Sequence, residues 1–228
     1  MEFFLALGSI IVMDLALAGD NAVVIAMAAN ALPEAARKKA VLIGTGGAVL
    51  VRIALMFVAV ELLQIPYLQA LGGLILLPIA AGLLDSARKK SGGPVEAAQT
   101  LGGAVKTILV ADVAMSLDNV LSIAGAAQGH FLLAAAGILI SIPIVVAGSS
   151  LLGKIMDRFP SVMYAGAAVI GWTAGKMLLA DKALGTGITD AFAVFGSAGP
   201  YILPAILAVA VCGIGHFKAR RQTSASVA

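Results

Sequence analysis

Seven apolar runs alternate with short polar joints along the chain, at about 3–29, 41–63, 67–85, 104–127, 131–152, 161–180 and 199–217. Each is close to the ~20 residues a helix needs to cross a bilayer core. The joints carry the breakers and charges: "LPEAARKK", "DSARKKSGGPVEAAQ", "DRFP" and, in the longest one, "ADKALGTGITD". Backbone groups cannot stay unpaired in lipid, so the runs predict a helix bundle. The expected fold is therefore an all-α membrane protein with seven transmembrane helices. A single transmembrane domain spans 1–217 and a short cytoplasmic tail spans 218–228.

Lysine and arginine in the joints set the expected direction. Arg37, Lys38 and Lys39 follow the first run; Arg88, Lys89 and Lys90 follow the third. Lys154 and Arg158 follow the fifth; Lys218, Arg220 and Arg221 follow the seventh. The joints after the second and fourth runs have neither residue, and the one after the sixth has Lys182 among acids. All the clusters fall on one side, which puts the N-terminus outside and the C-terminus in the cytoplasm. The opening "MEFFLALGSI" has no basic start or cleavage site, so it reads as a retained helix.

Composition agrees with this pattern. Of 228 residues, 61% are hydrophobic and only 12% charged, where a soluble domain carries about 25% charge. Mean hydropathy is +1.04. The net charge of +3 lies in the joints, leaving no basic face for nucleic acid. One cysteine, Cys212, excludes an intrachain disulfide and a cysteine metal cage. No phosphate-binding lysine–serine pattern points to ATP. The glycine-rich stretch at 44–50 suits close helix packing instead.

Polar residues inside the apolar runs carry the functional signal. "DLALAGDNAVVIAMAA" at 14–29 returns as "DVAMSLDNVLSIAGAA" at 112–127, identical at half the positions without a gap. The shared set includes Asp14/Asp112, Asp20/Asp118 and Asn21/Asn119. Pro66 and Gly72 are echoed by Pro160 and Gly166, and Ala80 and Leu84 by Ala174 and Leu178. The first three runs (about 3–85) thus read as one copy and the next three (about 104–180) as a second, with 199–217 left over. Copies with three spans each sit upside down to one another, a plan that places substrate near the midplane between them.

An ionised side chain at mid-membrane costs roughly 2.5–3.5 kcal/mol even on a lenient scale. The four aspartates therefore need partners. Arg52 and Lys176 within runs, and Lys106 near the start of the fourth, are candidate charge partners. They leave acid in excess, to be met by protons or a cation. Carboxylate and amide oxygens suit Mg²⁺, Ca²⁺ or Mn²⁺. Residues six apart do not share a face of a straight helix, so Asp14 and Asp20 meet at one site only if the helix breaks. Gly19 allows a break, whereas Leu117 stands at the equivalent place in the second copy. In one reading Asp20, Asn21, Asp118 and Asn119 form an oxygen cage. In an alternative, Asp20 and Asp118 form the centre while Asp14 and Asp112 line entry and exit paths or relay protons. Glu61, at the end of the second run, reads as a cation-attracting rim or a solvated end; His216 reads as interfacial.

The paired "GDN" and "LDN", each with an aspartate six residues upstream, resemble the TerC family of integral membrane proteins. So do "GWTAGKM" at 171–177 and the seven-run layout. The length suggests its short, YjbE-like bacterial branch. The resemblance implies a multi-pass protein of the bacterial inner membrane, linked to manganese efflux and, by name, to tellurium resistance. It assigns the metal role to Asp14, Asp20, Asn21, Asp112, Asp118 and Asn119. The expectation is a non-enzymatic secondary transporter exporting divalent cations, foremost Mn²⁺, with proton exchange as a candidate coupling. Mn²⁺ is then a substrate and not a catalytic cofactor. Three other classes compete: an exporter of small organic solutes, an assembly factor with a structural metal, and an intramembrane aspartyl protease. The protease pattern Gly-x-Gly-Asp is absent, since 17–20 read Leu-Ala-Gly-Asp.

Overall fold

A computed structural model describes residues 2–58, 62, 64–89, 100–127 and 130–225, apart from the side chains at 2–6, 86–89, 117–118, 121, 124–126 and 216–225. Glu61 and Lys90 lie outside the described residues, as do the side chains of Arg88, Lys89, Asp118, His216, Lys218, Arg220 and Arg221.

Among the described residues the chain is helical with no strand. The helices are α1 (Glu2–Leu17), α2 (Gly19–Asn30), α3 (Glu34–Leu55), α4 (Leu68–Lys89), α5 (Leu101–Ala126) and α6 (Phe131–Arg158). They continue as α7 (Val162–Ala180), α8 (Gly185–Phe192), a 3₁₀ segment (Ala193–Ala198) and α9 (Gly199–Ala225). The longest joint holds α8 and the 3₁₀ segment, with a turn at Gly196 (φ 57°). Past residue 217 the chain continues as helix α9 to Ala225.

Charged and hydroxyl side chains are buried within an otherwise apolar interior, while large apolar side chains face outward. Asp14, Arg52, Asp112 and Ser116 are at most 6% exposed, while Leu50, Leu132 and Val209 are 71%, 81% and 71% exposed. A water-soluble fold places these residue types the other way round. Pro78, Pro143 and Pro204 lie within α4, α6 and α9, as membrane helices tolerate. Four segments are long and apolar enough to cross a bilayer: Leu68–Asp85, Phe131–Arg158, Val162–Ala180 and Gly185–Gly215. A fifth is the pair Leu7–Leu17 and Gly19–Asn30, bent by 50°. Among the described residues this gives four or five spans by length and composition. The other two helices, α3 and α5, carry charge along their length: Lys38, Lys39 and Arg52, and Lys106 and Asp112.

Side-chain contacts fix the helix directions. Arg37 at the start of α3 grips Asp157 at the end of α6, with Nη2–Oδ1 at 3.2 Å. At the opposite end, Lys182 Nζ donates to Gln64 Oε1 at 2.6 Å. The Ala70 N–H, in α4, donates to Asp181 Oδ2 at 3.1 Å. The 22 residues of α3 reach about 33 Å at 1.5 Å each, enough to join these ends. α3 and α5 run in the same direction, since Gly44 abuts Ile108 and Arg52 meets Ser116. α1 and α6 likewise run together, since Ile10 abuts Gly137 and Asp14 meets Ser141. Because α3 opposes α6, α1 opposes α5. The first helices of the two copies are therefore inverted, and each packs on the second helix of the other copy. The third helices, α4 and α7, pack on each other at Gly73, where an added Cβ would sit 2.7 Å from the Ala174 carbonyl oxygen.

Asp181 fastens α7 to α4. Burial pushes its pKa up, but N–H donation from Ala70, Ala183 and Leu184 wins and holds the carboxyl below its ordinary 3.8. A depressed carboxyl pKa contributes stability that is complete above the unfolded value and lost as pH falls through the folded one. Asp181→Ala is expected to cost about 2–3 kcal/mol at pH 7. In thermal unfolding of the detergent-solubilised protein, the gap from wild type should narrow below pH 3.8.

Candidate cation site at the inverted repeat

The site begins with the break in the first span. Gly19 is a weak helix former, and Ala18 departs from helical geometry at φ −86°, ψ 2°. Beyond it Asp20 opens α2, where a negative charge suits the helix N-terminus. Its Oδ1 accepts the Asn21 N–H at 2.9 Å. In the second copy, with Leu117 in place of Gly19, α5 runs unbroken through Asp112 and Asn119. The two copies thus share a motif and differ in backbone.

Asp14 from α1 and Asp112 from α5 meet on one guanidinium. Arg52 Nη1 donates to Asp14 Oδ1 at 3.0 Å, and Nη2 to Asp112 Oδ1 at 2.6 Å. Arg52 Nε reaches Ser116 Oγ at 3.4 Å, and Ser116 donates to Asp112 Oδ2 at 3.0 Å. Ser141 of α6 donates to Asp14 Oδ2. All five side chains are buried. Their formal charge is −1, two carboxylates against one guanidinium.

The pairing has a local symmetry. Ile10 and Ile108 both precede an aspartate by four residues, so the repeat starts earlier than Asp14. They pack on Gly137 and Gly44. Four residues after Gly137 stands Ser141, on Asp14; four after Gly44 stands Ala48. Ala48 leaves room, and Arg52, one turn further along α3, reaches back into it.

Beside this triad is a cavity of about 20 Å³, lined by Asp14, Asn21, Thr45, Arg52, Asp112 and Ser141 among others. That is room for about one water-sized occupant. Both side-chain polar atoms of Asn21 and the hydroxyl of Thr45 are buried there without a hydrogen-bond partner. Buried polar groups normally have partners, so these three atoms are left available to whatever enters the cavity.

The sequence-predicted residues divide into two groups. Asp14, Asn21, Asp112 and Arg52 come together at the cavity. Asp20 turns away, to α7, where Thr173 donates to its Oδ2 at 3.0 Å and the Lys176 ammonium acts on it through charge. Asp14 and Asp112 thus meet at the cavity and Asp20 does not: residues six apart point to different faces of a helix, and the 50° bend between α1 and α2 does not bring Asp20 back to the cavity. Asn119 is buried outside the cavity lining, and Lys106 and Lys176 are exposed. The side chain of Asp118 lies outside the described residues. Sequence reasoning missed Thr45, Ser116, Ser141 and Thr173. Their one signal is a hydroxyl inside an apolar run. Among the described residues no three His, Cys, Asp or Glu side chains cluster as metal ligands.

Fold and site together define a multi-spanning helical membrane protein built on an inverted repeat, with a buried acid–base triad between the copies. The chain belongs to the TerC family of integral membrane proteins, which it matches over residues 1–223. It is 42% identical to the Bacillus subtilis membrane protein YjbE over 183 residues, 80% of this chain and 83% of that one. It is 30% identical to YkoY of the same organism, over 86% of this chain and 67% of that one. To the Escherichia coli K12 UPF0053 inner membrane protein YgdQ it is 26% identical, over 70% and 73%. No solved structure matches the chain.

Proposed function

We propose that this protein is a secondary transporter that exports divalent cations, foremost Mn²⁺, across the bacterial inner membrane. The observation that carries the reading is the meeting of one carboxylate from each inverted copy at a cavity whose Asn21 and Thr45 oxygens have no partner. Carboxylate, amide and hydroxyl oxygens are hard donors, suited to Mn²⁺, Mg²⁺ and Ca²⁺. Two carboxylates plus neutral oxygens form a modest ligand set, which suits cargo that must leave again better than a resident ion. The position between copies is where alternating access requires a site. The end with Arg37 and Arg158 faces the cytoplasm, following the lysine and arginine bias, and the N-terminus lies outside. Asp20, Thr173 and Lys176 line the path next to the site.

The test is Mn²⁺ flux in proteoliposomes, with wild type beside Asp14→Asn/Asp112→Asn. Wild-type flux is expected, with the double variant at the level of empty vesicles. Full flux in a folded double variant would remove the site from the transport path. Absence of wild-type flux, in folded protein with and without a pH gradient, would reject cation export.

A further inference from the structure

We infer that Arg52 is a tethered counter-cation that holds the cargo position in the cation-free state and must be displaced for a divalent ion to bind. This rests on the transport-site reading above and adds a mechanism of occupancy to it.

Three observations carry it. First, the guanidinium occupies the point where the two copies' carboxylates converge, within 3.0 Å of Asp14 and 2.6 Å of Asp112. A cation bound to both carboxylates would need those same oxygens. Second, the cavity against Arg52 holds unpartnered donor oxygens on Asn21 and Thr45. A guanidinium has only N–H donors and already uses its fork on the acids. The extra oxygens are therefore superfluous to Arg52 and suited to an ion. Third, Arg52 lies in the last turn of α3, which gives way to turns at Met56–Val58. The carbonyls of Arg52, Ala54 and Leu55 already accept from the N–H groups of Met56, Phe57 and Val58, but the negative end of the helix dipole still favours a cation there. The end of α3 can thus receive the displaced guanidinium.

Charge matching also gives selectivity. With Arg52 withdrawn the carboxylate pair carries a formal −2. A divalent ion neutralises it, whereas Na⁺ or K⁺ exchanges one unit of charge for another and leaves the site unbalanced. The repeat shows the same logic in its asymmetry. Ser141 serves Asp14 from the position matching Ala48, so a neutral hydroxyl pairs one carboxylate and only one copy supplies a cation. The position matching Arg52 in the second copy is Val145, which lines the same cavity without charge.

The experiment measures Mn²⁺ affinity of the detergent-purified full chain by equilibrium dialysis, for wild type, Arg52→Ala, Arg52→Lys and Asp14→Asn/Asp112→Asn. Arg52→Ala is expected to bind Mn²⁺ at least about tenfold more tightly, the scale of one charge-assisted contact. Millimolar guanidinium should weaken that binding toward wild type, while urea at the same concentration should not. A role confined to holding the helices together predicts the opposite, since loss of Arg52 would then disorder the site and weaken binding. If Arg52→Ala fails to fold, Arg52→Lys carries the test. It keeps the charge but cannot fork between two carboxylates, and should bind several-fold more tightly than wild type. Binding no tighter than wild type in a folded Arg52 variant, with the double aspartate variant inactive, overturns the tethered cation and leaves the site intact. No Mn²⁺ binding by wild type or either Arg52 variant overturns the transport-site reading itself.

Discussion

Arg52→Met is expected to lower stability by roughly 3–5 kcal/mol, while Asp112→Asn should change it by less than about 1 kcal/mol. The difference follows from charge. Removing the guanidinium leaves Asp14 and Asp112, both buried, facing each other without a counter-ion. Removing one carboxylate leaves a neutral Arg–Asp pair, and the amide oxygen that Asp112→Asn introduces can still accept from Ser116. Unfolding of the detergent-solubilised variants in denaturant measures both. A third variant separates stability from use: Asp14→Leu/Arg52→Met/Asp112→Leu replaces the triad with apolar groups. Such replacements are often neutral or stabilising, so this protein should unfold at or above the wild-type midpoint and carry no cation flux. If Asp112→Asn instead proves as damaging as Arg52→Met, the acids serve the fold, and the excess negative charge is not reserved for cargo.

The membrane character and the inverted repeat were both legible in the sequence, because each rests on a pattern that local chemistry enforces. Apolar runs near bridging length and basic joints on alternate sides leave few arrangements open. The match of Asp14, Asp20 and Asn21 with Asp112, Asp118 and Asn119 marked the copies before any geometry was known. The grouping within the site was not legible. Whether the break at Ala18–Gly19 turns Asp20 toward Asp14 depends on its size and direction, and a bend of 50° cannot be read from a permissive glycine. The reach of Arg52 depends on Ala48 one turn before it, a small residue that carries no signal alone. Thr45, Ser116 and Ser141 were hidden for a related reason. A hydroxyl in a membrane helix often bonds its own backbone, as Ser149 does to Val146, so position along the chain does not separate a ligand from a filler.

Asp14 and Asp20, six residues apart and both repeated, are expected to fail in different ways. Asp14→Asn should weaken Mn²⁺ binding by about 30- to 150-fold, the equivalent of 2–3 kcal/mol for one charged contact. Asp20→Asn should leave equilibrium binding within about threefold and slow flux instead. The reason is placement. Asp14 lines the cavity, while Asp20 lies outside its lining and is held by Thr173 on α7 beside Lys176. A carboxylate there can attract a cation on its way in or out, or latch α2 to α7 in one state of the cycle, and both roles act on rate. Thr173→Val should then reproduce part of the Asp20→Asn defect, since it removes the hydroxyl that orients the carboxylate and leaves the charge. Binding by equilibrium dialysis and flux in proteoliposomes on the same preparations would separate the two aspartates. Equal losses of binding in both variants would mean that the bend changes during the cycle and brings Asp20 to the cavity, since a straight helix keeps residues six apart on different faces. In that case the break at Gly19 is the moving part, and the site as described is one of its two states.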